Sequence, residues 1–402
     1  LAPYGKPKFK DLILDNLVDV KADGSFRLNQ KYFNYATGLT MTNENFSQLF
    51  SAKPRKQNEK ITQFHMDIAA SIQLVTEEIL LKICKSLSEQ FKIKNLCLSG
   101  GVALNCVANG KILESNFFEN IWVQPASGDA GGALGSALAL WHSKYKPNIS
   151  EDSRDNMKGS YLGPSYSPEE IKKQLDQMDA NYDILSHGNL IDTVAKDLDE
   201  EKIIGWFQGR MEFGPRALGN RSIIANAKSK DMQKKLNMKI KYRESFRPFA
   251  PSVLREHLSE WFSLNVDSPY MLIVSSTNPK INIKLSTKEK DLFGIDKLNT
   301  QRSLIPAVTH VDYSARIQTV HKETNPIYYE LIDKYYQISN CPVLVNTSFN
   351  VRGEPIVNTP KDAFNCFMGT EMDILVIGDY YLVKSNQKPE NLKNYKDKFN
   401  LD

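Results

Sequence analysis

Twelve Lys or Arg against three Asp or Glu fall between residues 210 and 255, whereas the whole 402-residue chain carries only +4. The basic residues of this window are interleaved with Gly, Pro and Phe in two runs, GRMEFGPRALGNRS (209–222) and KYRESFRPFAP (241–251). Planar Arg forks match phosphate or carboxylate oxygens, Lys adds a point charge, and glycines let backbone N–H groups approach. The pattern predicts an ordered pocket for a polyanion, with a nucleotide or an acyl phosphate as its natural occupant. Lys228, Lys230, Lys234, Lys235 and Lys239 read as a solvated helix face. Arg216, Lys241, Arg243 and Arg247 do not, because Gly214, Pro215, Phe246, Pro248 and Phe249 beside them mark ordered, partly buried backbone. A buried cation without a partner costs several kcal/mol. These side chains therefore need an anionic ligand or a carboxylate, for which Glu212 and Glu244 are the internal candidates.

Three further constellations carry chemistry. LSGGVALN (98–105) is a strand ending in paired glycines that opens a helix, offering free N–H donors and a positive helix end. Paired glycines serve ordinary tight turns equally well. SGDAGGA (127–133) places Asp129 among glycines, either as a metal ligand or as a helix cap. NTSFNVRGEP (346–355) follows an apolar run with amides and hydroxyls that can donate to phosphate oxygens and read a small carbonyl group, or close an Asx/Ser turn. The six histidines are scattered, with no HxxxH or HExxH pair, and His65 reads as structural.

The elements that must position these residues follow from periodicity. Phe64, Ile68, Ile72, Val75, Ile79, Ile83 and Leu87 recur at spacings of three or four and predict a long helix. Strands are predicted over 95–99, 120–123, 203–207, 341–345 and 373–377, and helices over 102–113 and 133–145. Ser167-Pro168-Glu169-Glu170 reads as a helix start. Residues 277–300 suggest an exposed excursion or hairpin. The polar segment 146–159 is the expected domain boundary. Alternating helix and strand argue for an α/β fold with ligand loops at the strand ends.

No window approaches the ~18 apolar residues of a membrane helix, and the first residues lack a signal layout. The chain does not open on Met, as expected of a segment from a longer protein. Five cysteines without a CxxC pair predict buried thiols in a reducing, cytoplasmic setting.

Taken together and in order, LSGGVALN, GDAGGALGSA, GPRALGNRS with KYRESFRPFAP, and NTSFNVRGEPIV resemble the O-carbamoyltransferase family, including its nodulation-type and antibiotic-tailoring members. The resemblance runs from residue 1 to about residue 383. It implies the C-terminal part of an actin/sugar-kinase-like carbamoyl-transfer domain over 1–148 and a YrdC-like carbamoyl-adenylate-forming domain over 149–402. It implies that carbamoyl phosphate is joined to ATP to give carbamoyl-adenylate and pyrophosphate, and that the carbamoyl group then passes to a hydroxyl acceptor with a bound metal, iron or magnesium. By motif match, Arg216, Lys241 and Arg247 are the implied catalytic residues. Arg316, Asn346, Ser348 and Asn350 fall where the family binds carbamoyl phosphate and nucleotide. Gly100, Gly101 and Asn105 fall on a nucleotide-facing loop, and Asp129 at a metal-ligand position. Because LAPYGK resembles a motif from the middle of the family's first domain, the N-terminal lobe is expected to be missing, leaving adenylate formation without transfer. The implied partners are small molecules, with neither membrane nor nucleic acid, in a protein compatible with a homodimer. Two alternatives stay open: a YrdC-like RNA-binding module, and threonylcarbamoyl-adenylate synthesis from bicarbonate and threonine.

Overall fold

Residues 1–56, 59–146, 155–389, 395 and 399 are described by the structure, a computed structural model. By packing, the chain falls into two compact units. One comprises Leu1–Leu96, Ala108–Trp122 and Leu285–Thr300; the other comprises Cys97–Val107, Val123–Lys284 and Gln301–Asp402. The expected boundary at 148/149 lies outside the described residues. Packing divides the chain elsewhere, with 97–107 and 123–146 grouped in the second unit. Two contacts help hold them there. Gly100 N–H donates to the Ser127 carbonyl at 2.9 Å, and Gly214 lies so near Pro125 that a Cβ would meet its carbonyl oxygen at 2.8 Å.

In the first unit, helix Gln63–Phe91 packs on the turn Ala2–Tyr4 and helix Lys10–Asn16, and a short antiparallel pair, β1 (Val18–Val20) and β2 (Phe26–Leu28), approaches it where Gly24 lies against Ile83. Thr62 and His65 close a capping box at its start, so His65 is structural. Ile13, Leu17, Val18, Tyr32, Phe50 and Val75 form the core, with Phe64, Ile68 and Ile79 against it. The predicted stripe is only partly inward: Ile72 and Leu87 are exposed. Polar residues share the inner face instead. Asp67 accepts from Lys6 N–H at 2.8 Å and pairs with Lys8 at 2.8 Å, while Ser71 accepts from Phe9 N–H at 3.0 Å. These bonds dock the N-terminal segment, and Gly5 is required because a Cβ there would meet the Met66 carbonyl oxygen at 2.0 Å. Residues 285–300 leave the second unit and form helical turns within the first, an excursion rather than a hairpin.

The chain passes between units within β3 (Asn95–Leu98) and again within β4 (Asn120–Val123). The second unit is built on a nine-stranded mixed sheet. Its strands, in chain order, are β5 (Asp183–Ile184), β6 (Ile204–Phe207), β7 (Arg221–Asn226), β8 (Ala250–Leu254), β9 (Ile273–Ser276), β10 (Ser314–Val320), β11 (Val343–Ser348), β12 (Ile374–Ile377) and β13 (Tyr380–Val383). Across the sheet the order is β5-β13-β12-β6-β7-β11-β8-β10-β9, with β6–β12 and β8–β10 parallel and the other pairs antiparallel. The sheet is thus mixed α/β and not a regular alternating parallel fold. β6, β7, β8 and β12 are buried at every residue, as covering on both faces demands.

Helix His187–Asp199 buries Leu190, Ile191, Val194 and Leu198 at three- and four-residue spacing and packs on helix Pro326–Ser339. Helix Pro168–Gln177 starts as its sequence signals, with a Ser167–Glu170 capping box. The predicted helix over 102–113 is broken at Asn105, into a 3-10 turn (Gly101–Leu104) and helix Cys106–Glu114. That break turns Cys106 and Val107 toward the basic residues described next.

Candidate anion-binding site

The site begins with a loop that folds around its own carboxylate. Glu212, buried, accepts the backbone N–H groups of Leu218 (2.7 Å), Asn220 (2.8 Å) and Arg221 (3.2 Å) on Oε1. The loop's far end enters β7, where Arg221 is wholly buried and donates to the carbonyls of Gln208, Asn220, Pro164 and Gly209. Gly219 sits at φ +110 with Tyr328 packed where a Cβ would be, so only glycine fits. The segment between, Pro215–Ala217, is thereby held out as a rigid projection carrying Arg216.

Arg216 lines a cavity of about 360 Å3 with Arg243, Arg247, Arg316, His310, Asn346 and Ser348. Sheet register explains the gathering: β11 lies between β7 and β8, and β10 is next in line, so residues over a hundred positions apart share one end of the sheet. Arg216 donates weakly to the Leu104 carbonyl at 3.4 Å, and its Nε is buried without a partner. Burial, and then the positive charge of Arg316, pull its guanidinium down to about 10. Arg243 is likewise lowered to about 10 by burial and by Arg247; its Nε donates to Asn237 Oδ1 at 2.7 Å.

Among the described residues no carboxylate pairs with Arg216, Arg243 or Arg316. Glu244 is taken by Arg247 (3.1 Å) and Arg352 (3.6 Å), and Glu212 by backbone. Such a cluster is stabilised by an anion, since each desolvated charge otherwise costs several kcal/mol.

Asn346 supplies the opposite polarity. Its Nδ2 is committed to Gln318 Oε1 (2.8 Å), Ser252 Oγ (3.0 Å) and the Ala217 carbonyl (3.2 Å), while its Oδ1 is buried without a partner. An acceptor with no donor thus lies buried in a residue of the cavity wall.

Lys241 has a different place from Arg216. Its ammonium, only 3% exposed, donates to the Ser348 carbonyl and to Asn350 through both the carbonyl (2.8 Å) and Oδ1 (2.9 Å). Burial, and then Arg243, push it down to about 7. Lys241 thereby holds Ser348 and Asn350 in position. It lines a second cavity of about 250 Å3, shared with Arg243, Arg247, Ser348, Asn350 and Arg352.

The residues expected on glycine-rich turns are less gathered. Gly100, at φ +95, and Gly101 both have open space where a Cβ would be, and the turn after them reaches the larger cavity through Cys106 and Val107, next to Asn105. Asp129 is the exposed first residue of helix Asp129–Tyr145 and makes no cap hydrogen bond. Among the described residues no group of three or more His, Cys, Asp or Glu comes together that could hold a metal.

Sequence reasoning missed Glu212 as a loop organiser and His310 as a cavity residue. A lone acidic residue inside a basic glycine-rich run was the available sign of the first.

Residues 1–138 match the family described as carbamoyltransferase N-terminus, and residues 195–384 the family described as carbamoyltransferase C-terminus. The first match corrects the expectation of a missing N-terminal lobe. An uncharacterized protein of Synechocystis sp. is 55% identical over all of this chain and 66% of its own length. Nodulation protein NolNO of Sinorhizobium fredii is 36% identical over 97% of this chain and 53% of its own. Nodulation protein NolO of Bradyrhizobium diazoefficiens is 34% identical over 98% and 66%. The chain thus spans about half to two-thirds of these relatives. A crystal structure of full-length HypF in a phosphate- and nucleotide-bound form is similar over 50% of this chain and 22% of that one, at 20% identity and a TM-score of 0.30. No described helix is long and apolar enough to cross a membrane.

Proposed function

The chain belongs to the carbamoyltransferase family, and on that premise we propose that the cationic cavity of its second unit binds carbamoyl phosphate and ATP and forms carbamoyl-adenylate. The second unit is then the YrdC-like domain, and the first contains the actin-like one. The observation that carries the reading is the cluster of Arg216 and Arg243, both lowered by burial, with Arg316, none paired with a carboxylate among the described residues, around a cavity that Asn346 also lines.

The chemistry balances with one water. Cleaving the C–O–P bridge of carbamoyl phosphate sends its phosphoryl group to water as phosphate and leaves carbamate. A carbamate oxygen then attacks the α-phosphorus of ATP, and pyrophosphate departs. Arginines fixed before the reaction stabilise the charge that builds on the phosphates, without reorganisation. Asn346 Oδ1 accepts an N–H of the carbamoyl amide and orients it. In the second step a hydroxyl oxygen of the acceptor attacks the carbamoyl carbon, AMP leaves, and the hydroxyl proton goes to a base.

The test is carbamoyl phosphate-dependent ATP–pyrophosphate exchange. Arg216→Ala is expected to lower the exchange rate by about 100-fold or more, the usual cost of one preorganised donor. Exchange at the normal rate in that variant, or none in the unaltered protein, overturns the reading.

A further inference from the structure

His310 stands in a turn that settles which of its nitrogens carries the proton. The turn is closed by His310 N–H donating to the Ser314 carbonyl (2.8 Å) and Tyr313 N–H to the His310 carbonyl (3.0 Å). The Ser314 hydroxyl donates to Asp312 Oδ1 at 2.7 Å and lies 3.0 Å from His310 Nδ1. A hydroxyl has one hydrogen. With it given to the Asp312 carboxylate, Ser314 Oγ can only accept from the ring, so Nδ1 bears the proton and Nε2 keeps its lone pair. Nε2 has no protein partner among the described residues, and the ring lines the cavity that holds Arg216 and Arg316.

Every guanidinium around that cavity is a donor. Anionic oxygen is therefore recognised many times over, whereas an amide needs acceptors, and Asn346 Oδ1 and His310 Nε2 are two without a protein donor among the described residues. Burial, and then Arg316, press the imidazolium down to about 4 against the opposing pull of Asp312. A ring that protonates only near there is an acceptor at neutral pH and a poor proton carrier. Its position matters as well. His310 is close enough to Arg316, two residues into β10, for the charges to interact. In carbamoyl phosphate the amide nitrogen is a few bonds from phosphate oxygen; in ATP the adenine amino group is far from any phosphate.

Resting on the function proposed above, we propose that His310 Nε2 accepts an N–H of the carbamoyl amide and is the residue by which the site selects carbamoyl phosphate over acyl phosphates that lack a donor. Together with Asn346 Oδ1 it provides one acceptor for each amide hydrogen. Acetyl phosphate, with a methyl group in place of the amide, would leave both acceptors unpaired, the situation that gives strong discrimination.

The experiment compares the KM for carbamoyl phosphate with the Ki of acetyl phosphate in ATP–pyrophosphate exchange, for the unaltered chain, His310→Leu, His310→Gln and Ser314→Ala. His310→Leu should raise the carbamoyl phosphate KM at least 10-fold, with the ATP KM unchanged and the acetyl phosphate Ki no higher. His310→Gln, which keeps an acceptor, should recover part of the loss. Ser314→Ala, which frees the tautomer, should show a smaller rise in the same KM and keeps the idea testable if the leucine variant does not fold. Equal losses for both acyl phosphates would reveal a structural role and overturn the proposal. A loss of preference for ATP over purine riboside triphosphate would assign His310 to adenine and overturn it too. If the unaltered chain exchanges normally and all variants match it, this inference alone falls; no exchange in the unaltered chain removes the underlying function.

Discussion

The Arg221 guanidinium lies 3.5 Å from the ring centroid of Phe207, inside a strand closed to solvent. The two face each other across the antiparallel pair β6–β7, in register. Four carbonyls and one aromatic face replace water around the charge, and burial still lowers the group to about 10. Arg221 therefore clamps both ends of the loop that projects Arg216.

Arg221→Met should destabilise the protein by about 3 kcal/mol or more, because several buried carbonyls lose their donor together. Arg221→Lys should recover little, since one ammonium cannot reproduce the planar fork or its stacking. Urea unfolding of the three proteins measures both differences; a lysine variant as stable as the parent would refute the clamp.

Glu212→Ala should cost about 2–4 kcal/mol by stranding three buried N–H donors. Its anion affinity should fall with that of Arg216→Ala, although Glu212 is a positioning residue. Calorimetric binding of pyrophosphate, performed where the variant is still folded, reads this directly. Unchanged affinity would show that the loop holds its shape without the carboxylate.

Arg316→Gln should stabilise the ligand-free protein, because Arg316 presses on Arg216 with no carboxylate between them. The same substitution should remove most of the rise in Tm that pyrophosphate gives the unaltered chain. Loss of stability together with a full pyrophosphate shift would contradict the picture of a charge cluster awaiting an anion.

Lys241 makes stability depend on pH with a definite sign. Its ammonium loses its proton near 7 when folded, against 10.5 as the ordinary lysine value, so the unfolded chain binds more protons between those limits. Lys241's penalty is full below about pH 7 and fades as pH rises toward 10.5. Lys241→Met removes that term along with the bonds to Ser348 and Asn350. The stability of the methionine variant relative to the parent, from urea melts at pH 6.5, 8 and 9.5, should therefore decline as pH rises. A flat or rising difference would show that the acceptors around Nζ keep it charged throughout.

Local signals were readable where one element decides them. The Ser167 cap, the long helix and the buried apolar strands needed only propensity and period. The inner face of the long helix was misjudged at Ile72 because Asp67 and the adjoining Ser71 bind the N-terminal backbone. Periodicity does not register a bond to residues some sixty positions distant. The break at Asn105 was invisible for a similar reason: no Pro announces it. His310 looked like one scattered histidine, although Asp312 and Ser314 at alternate positions were in plain view. Their meaning needed the turn that folds them together.

What the residues alone supplied is the expectation of an anion for this chain. A local surplus of guanidinium and ammonium groups set in ordered backbone has too few carboxylates nearby to neutralise it, and charge counting requires no fold. Which cations are free was decided only in three dimensions. Glu244 draws in Arg247 and Arg352, Asn350 and Ser348 occupy Lys241, and carbonyls enclose Arg221, leaving Arg216, Arg243 and Arg316 open to the cavity. That selection rests on the order of the strands across the sheet. Hydrogen bonds act over about 3 Å, and sequence distance does not reveal which atoms come within that reach.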